Sequence, residues 1–452
     1  MADTAGDTSL PDRRSLLERT LGLIAEVRAG EGVTVLLMAF NLFLVLTSYY
    51  MLKTIREALI LTEGGAAVKT YSSAGQALLL LLLVPAFGAF ASQVNRARLL
   101  RGVTLFFVAN VVVFLVVGRG GVHVAVPFFI WVGIFNVMIV AQYWSFANDI
   151  YTPDQGKRLF AIVALGSNVG AWLGAFGAGQ LIRAFGPYPL AVLAAIVLAS
   201  CALVAEVINR RQARRAPVEE TTAAARPLGR EGGFALIAKD RYLLLIAVLV
   251  VILNLANTTG EYLLGRFVIG EATARLGDSA ASLADRQRFV GGFYGDFFSY
   301  VNLASLLLQM FAVSRILRVL GVAGAMFVHP AVTFFGYLAV VRAPVLAVAG
   351  VAKFFDNTID YSLGKTAQQA LWLPTSREAK YKAKQAVDAF FMRAGDVLAA
   401  GLVFLGERLA FAVPTFAAVN VALAVVWTVI LGRLAPENRR RTRVPVATQG
   451  VP

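Results

Sequence analysis

Ionisable side chains stand inside the long apolar blocks of this sequence, where they are costly. Lys353, Asp356 and Asp360 are spaced so that they share one face of a helix, and Lys53 and Arg56 are likewise three residues apart. A charge at the centre of a bilayer costs about 2.5–3.5 kcal/mol on insertion scales, so such residues usually face a partner or a water-filled path. Further charges of this kind are Glu57, Glu261, Arg266, Asp296, Lys365, Asp388, Arg393 and Asp396.

Two interpretations of these charges stay open. They line a polar path for a charged solute, or they are ion pairs that join helices and interfacial residues that extend toward water. Aromatic residues accompany them, namely Tyr49, Tyr50, Tyr143, Trp144, Phe146, Tyr294 and Tyr361. These rings are typical of a membrane-interface belt. Together with the cations they would also suit a ligand that has a flat ring and phosphates.

The composition places the chain in a membrane. Of its 452 residues, 58% are hydrophobic and 15% are charged, whereas soluble domains are about 45–50% apolar and about 25% charged. The single cysteine excludes an internal disulfide. The two histidines, His123 and His329, lie far apart, which argues against a metal site. The net charge of +15 is explained by loops between apolar blocks rather than by nucleic-acid binding.

The apolar blocks predict an all-α polytopic fold of twelve transmembrane helices, since each block has the length that crosses a bilayer. The predicted spans are approximately 33–52, 74–91, 103–117, 124–146, 159–181, 190–208, 242–262, 290–312, 320–341, 345–363, 385–404 and 413–431. The predicted organisation is a cytoplasmic N-terminal segment 1–32, a six-helix half 33–208, a linker 209–241, a second six-helix half 242–433 and a basic tail 434–452.

Loop charge predicts the orientation. More than twice as many Lys and Arg residues fall on the side of both termini as on the other side, which indicates cytoplasmic termini and an inner-membrane location. The first residues show no cleavable signal peptide. The pairs Arg98–Arg101 and Arg315–Arg318 follow the second and eighth predicted spans. This weak repeat favours two parallel halves with a site between them, as in major-facilitator-type carriers.

Four segments resemble the ATP/ADP translocases of plastids and obligate intracellular bacteria. The first begins at Tyr361 and includes Leu373-Pro374, the lysine-rich stretch 378–388 and Arg393-Ala-Gly395. The others are Tyr143-Trp-Ser-Phe-Ala-Asn148 with the loop 156–160, Tyr50-Met-Leu-Lys53-Thr-Ile-Arg56-Glu57, and Asn254-Leu-Ala-Asn257 with Glu261. The resemblance covers both halves in matching order.

The resemblance implies an alternating-access transporter of nucleotides or related phosphorylated anions, working by exchange or with protons. Lys53 and Arg56 would hold phosphate, helped by Lys353, Lys365 or Arg393. Substrate-binding candidates also include Tyr50, Trp144, Asn148 and Glu261. The candidates for ion pairing in the empty site or for carrying a coupling proton are Glu261, Glu57, Asp356, Asp360 and Asp388. No enzyme activity, cofactor or metal is implied, and a monomer surrounded by lipid is expected.

The chain departs from the family where the tenth helix reads Gly364-Lys-Thr-Ala-Gln-Gln369 in place of an acid and a Lys-Glu pair. Lys365, Gln368 and Gln369 share one helix face. If that face lines the path, strict ATP/ADP exchange should be inefficient; if it packs on a neighbour, the change is structural. Two alternatives stay open: a proton-coupled carrier of another solute, including drugs, and a membrane sensor or assembly protein that transports nothing.

Overall fold

The computed structural model of the chain describes residues 15–22, 25–91, 96–213, 232–376 and 378–443. These residues form helices and their connections, without a β-strand among them, which confirms the predicted all-α class. Parts of the predicted N-terminal segment, linker and tail lie outside the described residues, at 1–14, 23–24, 214–231 and 444–452.

The N-terminal part holds a short first helix and six long ones. Their bounds are α1 Leu16–Leu21, α2 Gly32–Glu63, α3 Gly65–Ala91, α4 Arg96–Arg119, α5 Ala125–Ile150, α6 Pro153–Phe185 and α7 Pro187–Ala213. Local sequence explains several of the starts. Thr152 caps α6 and shares a capping box with Gln155, and Pro153 occupies the first turn, where a missing N–H costs nothing.

The C-terminal part repeats this pattern with more interruptions. Its helices are α8 Gly233–Lys239, α9 Arg241–Leu276, α10 Leu283–Phe311, α11 Val313–Ala325, α12 Val328–Arg342, α13 Leu346–Ile359, α14 Lys365–Ala370, α15 Lys384–Ala386, α16 Met392–Arg408 and α17 Val413–Arg443. Among the described residues, nine helices are long and apolar enough to cross a membrane, or ten if α10 and α11 form one bent span. The remaining apolar segments are shorter, so the count is consistent with the twelve predicted spans.

Several predicted spans have different ends in the structure. The predicted ninth span, 320–341, is not continuous, because Gly321 has a φ of 66° and interrupts the helix inside α11. A positive φ is accessible to glycine without steric cost, so the chain turns there before α12 begins. The predicted tenth span continues past α13 through a π-helical turn at Asp360–Gly364 into α14.

The first predicted span is also longer than expected. It was predicted to end near residue 52, yet α2 runs to Glu63 and α3 begins at Gly65, whose φ is 76°. Lys53 and Arg56 therefore lie within α2 rather than at its end, and α3 starts nine residues before the predicted 74. This tight reversal brings the start of α3 beside the charged part of α2.

Glycines let the long helices approach closely. Side chains added at Gly166, Gly170 and Gly174 of α6 would collide with the backbone of α2. Glycines at four-residue spacing therefore allow close packing of the two helices. A second close approach joins the two parts of the chain, because a side chain at Gly295 of α10 would collide with Gly179 of α6.

Candidate functional site

A polar cavity of about 210 Å³ lies between helices of the N-terminal and C-terminal parts. Helices α2, α3, α5, α9 and α16 and the π-helical turn contribute to its wall. The lining residues are Tyr49, Lys53, Arg56, Glu57, Lys69, Thr70, Ser73, Gln76, Phe129, Asn254, Asn257, Thr258, Glu261, Tyr361, Arg393 and Asp396. Burying polar and charged groups inside a membrane protein costs free energy unless they are paired, so these residues need partners or a polar ligand.

Alternating charges join the two parts of the chain across this cavity. Arg56 Nη2 lies 2.6 Å from Glu57 Oε1, and the other oxygen of Glu57 lies 2.7 Å from Lys69 Nζ. Lys69 Nζ also donates to Glu261 Oε2 at 3.2 Å. Since Glu57 is on α2, Lys69 on α3 and Glu261 on α9, these pairs bridge both halves of the predicted fold.

The row of charges continues behind the cavity wall in the C-terminal part. Lys353 Nζ is 3.8 Å from Glu261 Oε1 and 2.9 Å from Asp356 Oδ2. The second oxygen of Asp356 accepts from the Thr333 hydroxyl at 2.7 Å and faces His329 Nε2 at 3.2 Å. Lys353 and Asp356 are buried, so each needs the other to offset its desolvation. The row therefore runs from Arg56 to His329.

Lys53 has a different environment from the other buried cations. Its side chain is 9% exposed, and Nζ lies 3.9 Å from the centre of the Phe298 ring and 5.2 Å from that of Tyr50. Among the described residues, no carboxylate lies within 4 Å of this ammonium group. Ring faces attract a cation but do not neutralise it. Lys53 is thus a cation on the cavity wall that remains available to an anion.

A second set of polar contacts lies at another part of the cavity wall. Asp396 of α16 accepts hydrogen bonds from Asn254 at 2.9 Å and Thr258 at 2.8 Å, both on α9. Arg393 lies 3.5 Å from the same carboxylate. These contacts hold α16 against α9 and leave Arg393, which is half-buried, at the cavity surface.

Most predicted site residues gather at this cavity. Those that line it are Lys53, Arg56, Glu57, Glu261 and Arg393. Three further candidates stand directly behind the wall. The Tyr50 hydroxyl donates to Asn302 Oδ1 at 2.9 Å, and Lys353 and Asp356 continue the row of charges described above.

Two candidates on α5 lie elsewhere. Trp144 packs edge-on against Phe160 of α6, with ring centres 5.3 Å apart, and Asn148 is exposed. Neither lines the cavity. Both are near the end of α5 that connects to α6.

Three candidates in the C-terminal part also lie outside the cavity wall. Lys365 is exposed at the start of α14, and Asp388 is exposed and paired with Lys384 at 2.9 Å. Asp360 is buried in the π-helical turn. The amides of the altered motif are likewise outside, since Gln369 is exposed and Gln368 lines a different, smaller cavity.

Helix α3 also contributes to the cavity wall, which the sequence did not indicate. Lys69, Thr70, Ser73 and Gln76 line the cavity, and Lys69 contacts two carboxylates. The second predicted span begins only at 74, which leaves Lys69 in a loop. The adjacent glycines at 64 and 65 are the signal that could have shown a tight turn and an earlier helix start. Among the described residues, no His, Cys, Asp and Glu side chains are grouped to hold a metal ion.

Solved transporters share this fold. A bacterial homologue of the iron transporter ferroportin, in an inward-facing state, matches with a TM-score of 0.64, covering 89% of this chain and 98% of that one at 12% identity. A nucleoside transporter matches with a TM-score of 0.61, covering 91% and 99% at 10% identity. At these identities the likeness concerns the fold, which is therefore a major-facilitator-like transporter fold, as predicted.

Sequence relatives specify the family. The ADP,ATP carrier protein 1 of Chlamydia trachomatis is 24% identical over 340 residues, covering 65% of this chain and 61% of the relative. The protein of that name from Chlamydia pneumoniae is 21% identical over 347 residues, covering 66% and 64%. The matches thus span less than two thirds of these relatives. The model of the TLC ATP/ADP transporter family matches residues 128–435, more than half of the chain. This chain is a multi-pass membrane protein that belongs to the TLC ATP/ADP transporter family.

Proposed function

We propose that the protein carries nucleotides or related phosphorylated anions across the membrane by alternating access. The observation that carries this proposal is Lys53, a cation on the wall of a polar cavity between two sets of helices, which has no carboxylate partner among the described residues. Such a cation gains most from an anion that enters the cavity, because contacts to a charged ligand strengthen away from bulk water. The names of the family and of its chlamydial members support a nucleotide.

Binding would use groups from both parts of the chain. Lys53 and Arg56 hold phosphate oxygens, and the fork of the arginine suits two oxygens at once. The rings of Tyr49, Phe129 and Tyr361 also line the cavity and offer faces for a base. In the empty cavity, the carboxylates keep the remaining cations neutralised.

The size of the cavity implies a rearrangement on binding. Small-molecule sites usually measure about 300–1,000 Å³, whereas this cavity measures about 210 Å³. A nucleotide therefore needs more room than the observed arrangement provides. Separation of Lys69 from Glu261 would supply it, since this pair joins the two sides of the cavity. The same separation would expose a second cation to the phosphates.

The altered motif of the tenth helix gives less support to a change in selectivity. The sequence predicts inefficient strict ATP/ADP exchange if Lys365, Gln368 and Gln369 line the path. In the structure these residues are not among those that line the polar cavity. Exchange and proton coupling therefore both belong to the proposed function. The proposed location is the cell inner membrane, and the proposed state is a monomer with cytoplasmic termini. The charge of the loops supports this orientation.

Purified protein in liposomes tests the proposal. The probes are labelled ATP, ADP, UTP and inorganic phosphate, with and without the same compound inside. We expect saturable uptake of at least one probe, and a reduction of at least about tenfold in Lys53→Gln, since a lost contact to a charged ligand group is worth about 1.5–3 kcal/mol. Lys380→Gln, an exposed lysine outside the cavity, is the matched control.

Three results would count against the proposal. Absence of uptake for every probe, by protein that elutes as a single folded species, overturns phosphorylated-anion transport. Equal uptake by Lys53→Gln and the wild type overturns the role of this cation. Binding of a probe without uptake favours the alternative of a sensor.

A further inference from the structure

His329 is buried in the C-terminal part behind the cavity wall. It lies on α12, and its Nε2 faces Asp356 Oδ1 at 3.2 Å. The ring packs edge-on against Trp427 of α17, with ring centres 4.6 Å apart. Because the carboxylate accepts a hydrogen bond, a neutral His329 carries its proton on Nε2 and leaves Nδ1 with a free lone pair.

The free nitrogen faces Gly364 and lies near a carboxylate oxygen of Asp360. Among the described residues, neither His329 Nδ1 nor Asp360 Oδ1 has a hydrogen-bond partner, although both atoms are buried. Both face Gly364: a Cβ there would lie 3.3 Å from Nδ1 and 3.5 Å from Oδ1. A cavity of about 10 Å³ adjoins His329 and Gly364; its wall is mainly apolar and includes the polar side chain of Gln368. That volume holds about one water molecule.

We propose that His329 binds one proton that is coupled to the uptake of the anionic substrate, and that Asp356 and Lys353 connect it to the cavity. The inference rests on the proposed transport function and specifies its coupling ion and the residue that holds it. It also gives a role to a histidine whose position in an apolar block would otherwise suggest only structural packing.

The proton step follows from the contacts. A proton passes from water beside Gly364 to Nδ1 of neutral His329, which becomes an imidazolium while Nε2–H keeps its hydrogen bond to Asp356. Asp356 then has two cationic partners, the imidazolium and Lys353, so its negative charge stays neutralised when Lys353 moves away. Lys353 shifts toward Glu261, 3.8 Å away. Glu261 in turn releases Lys69 to the anion, and return of the proton to water reverses each step.

The added positive charge offsets one negative charge of the substrate. This matters in a membrane protein, where an unpaired buried charge is costly. Histidine suits the role because it changes charge near neutral pH. The polar and ionisable groups next to His329 are Asp356, Thr333, Asp360 and Gln368. Lys353 and Glu261 follow behind Asp356.

Uptake under a pH gradient gives the first test, with labelled ATP, UTP and inorganic phosphate as probes. If the pH outside the liposomes is one unit lower than inside, one coupled proton should raise the accumulation of the probe by up to about tenfold. We expect this stimulation in the wild type and in His123→Gln, whose histidine is exposed in the loop after α4. It should be lost in His329→Gln, which still exchanges the probe without a gradient.

A second substitution tests the space beside Nδ1 without removing an ionisable group. Gly364→Ala would place a methyl group between Nδ1 and Asp360. We expect it to reduce the response to the gradient while leaving exchange measurable. A gradient response that survives in both His329→Gln and Gly364→Ala overturns the proposal.

Direct titration gives a readout that does not need transport. The chain has only two histidines, so isotope-labelled imidazoles in His123→Gln protein report His329 alone by NMR. We expect its ring signals to change as the pH is lowered, and to change differently in Asp356→Asn. Signals that stay constant from pH 5 to 9 overturn the proposal. If no probe is taken up, the proposed transport fails, while the titration still decides whether His329 binds a proton.

Discussion

At the level of single residues, Lys69 explains how the charged side chains tolerate their position. It contacts Glu57 at 2.7 Å and Glu261 at 3.2 Å. Each carboxylate therefore has a cation, and each carboxylate is shared. Sharing a carboxylate between two cations lowers the free-energy cost of burying the charges. An incoming anion can still take the place of a carboxylate beside a cation, because the exchange leaves the local net charge unchanged. Such a row is stable when empty and responsive when a ligand enters.

Arg56 offers a prediction on ligand affinity. Its guanidinium pairs with Glu57 at 2.6 Å and lies 4.4 Å from the centre of the Phe129 ring. We expect Arg56→Gln to raise the substrate concentration that gives half-maximal uptake by at least about tenfold, because a contact to a charged group is worth about 1.5–3 kcal/mol. The half-saturating concentration of Arg56→Lys should lie between those of the wild type and Arg56→Gln, since lysine keeps the charge but not the forked guanidinium group. Unchanged uptake by folded Arg56→Gln would show that the residue is structural.

Among the helices, the starts of α2 and α6 are joined by a partly buried ion pair. Arg158 Nη2 lies 3.0 Å from Glu31 Oε1, and Gln155 donates to the same oxygen at 3.2 Å. Further along, glycines of α6 let the backbones of the two helices touch. This pair of helices is therefore a rigid unit on which the cations of α2 are mounted.

The Glu31 pair predicts a pH dependence of stability. Burial raises the pKa of Glu31, but hydrogen bonds from Arg158, the Arg28 amide and Gln155 lower it more, so its pKa lies below the usual value. A lowered pKa in the folded state stabilises the protein above the unfolded pKa, and this contribution is lost as the pH falls through the folded pKa. Thermal unfolding in detergent should thus be less pH-dependent below pH 5 in Glu31→Gln than in the wild type. Parallel pH profiles would contradict this.

Between the two parts of the chain, α6 and α10 form a contact on the side away from the termini of the predicted fold. Arg183 pairs with Asp296 and donates to the Gly292 carbonyl at 3.0 Å, beside the glycine contact of residues 179 and 295. Alternating access requires such a contact to open and close around a fixed site. The observed arrangement is closed at this position.

The contact predicts how access to the cavity can be shifted. Gly295→Val should separate α6 from α10 and open the cavity on that side, because a side chain there collides with Gly179. A cysteine at Ser73, on the cavity wall, in a Cys201→Ala background would then react several-fold faster with an impermeant maleimide added on the side away from the termini. Gly270→Val, at a glycine with open space around it, is the control. Equal labelling of both variants would rule out a gate at this contact.

Much of the fold could be predicted from the sequence because its causes are local. A block of about 20 apolar residues must form a helix in hydrocarbon, whatever surrounds it. The same logic marked Lys53, Arg56 and Glu261 as residues that need a polar environment. The family resemblance rested on contiguous segments, and the match of the family model confirms it.

What only the tertiary structure decided is which charges meet. Lys69 and Glu261 are 192 residues apart in the chain and hydrogen-bonded in the fold, and no local pattern specifies such a pair. The sequence placed Asp388 and Lys365 with the same candidates, yet both are exposed away from the cavity. For Lys365 the reason is helix phase, since one extra residue in a helix rotates the following side chains by about 100°. The π-helical turn after α13 changes that phase, and its effect depends on packing between helices that are distant in sequence.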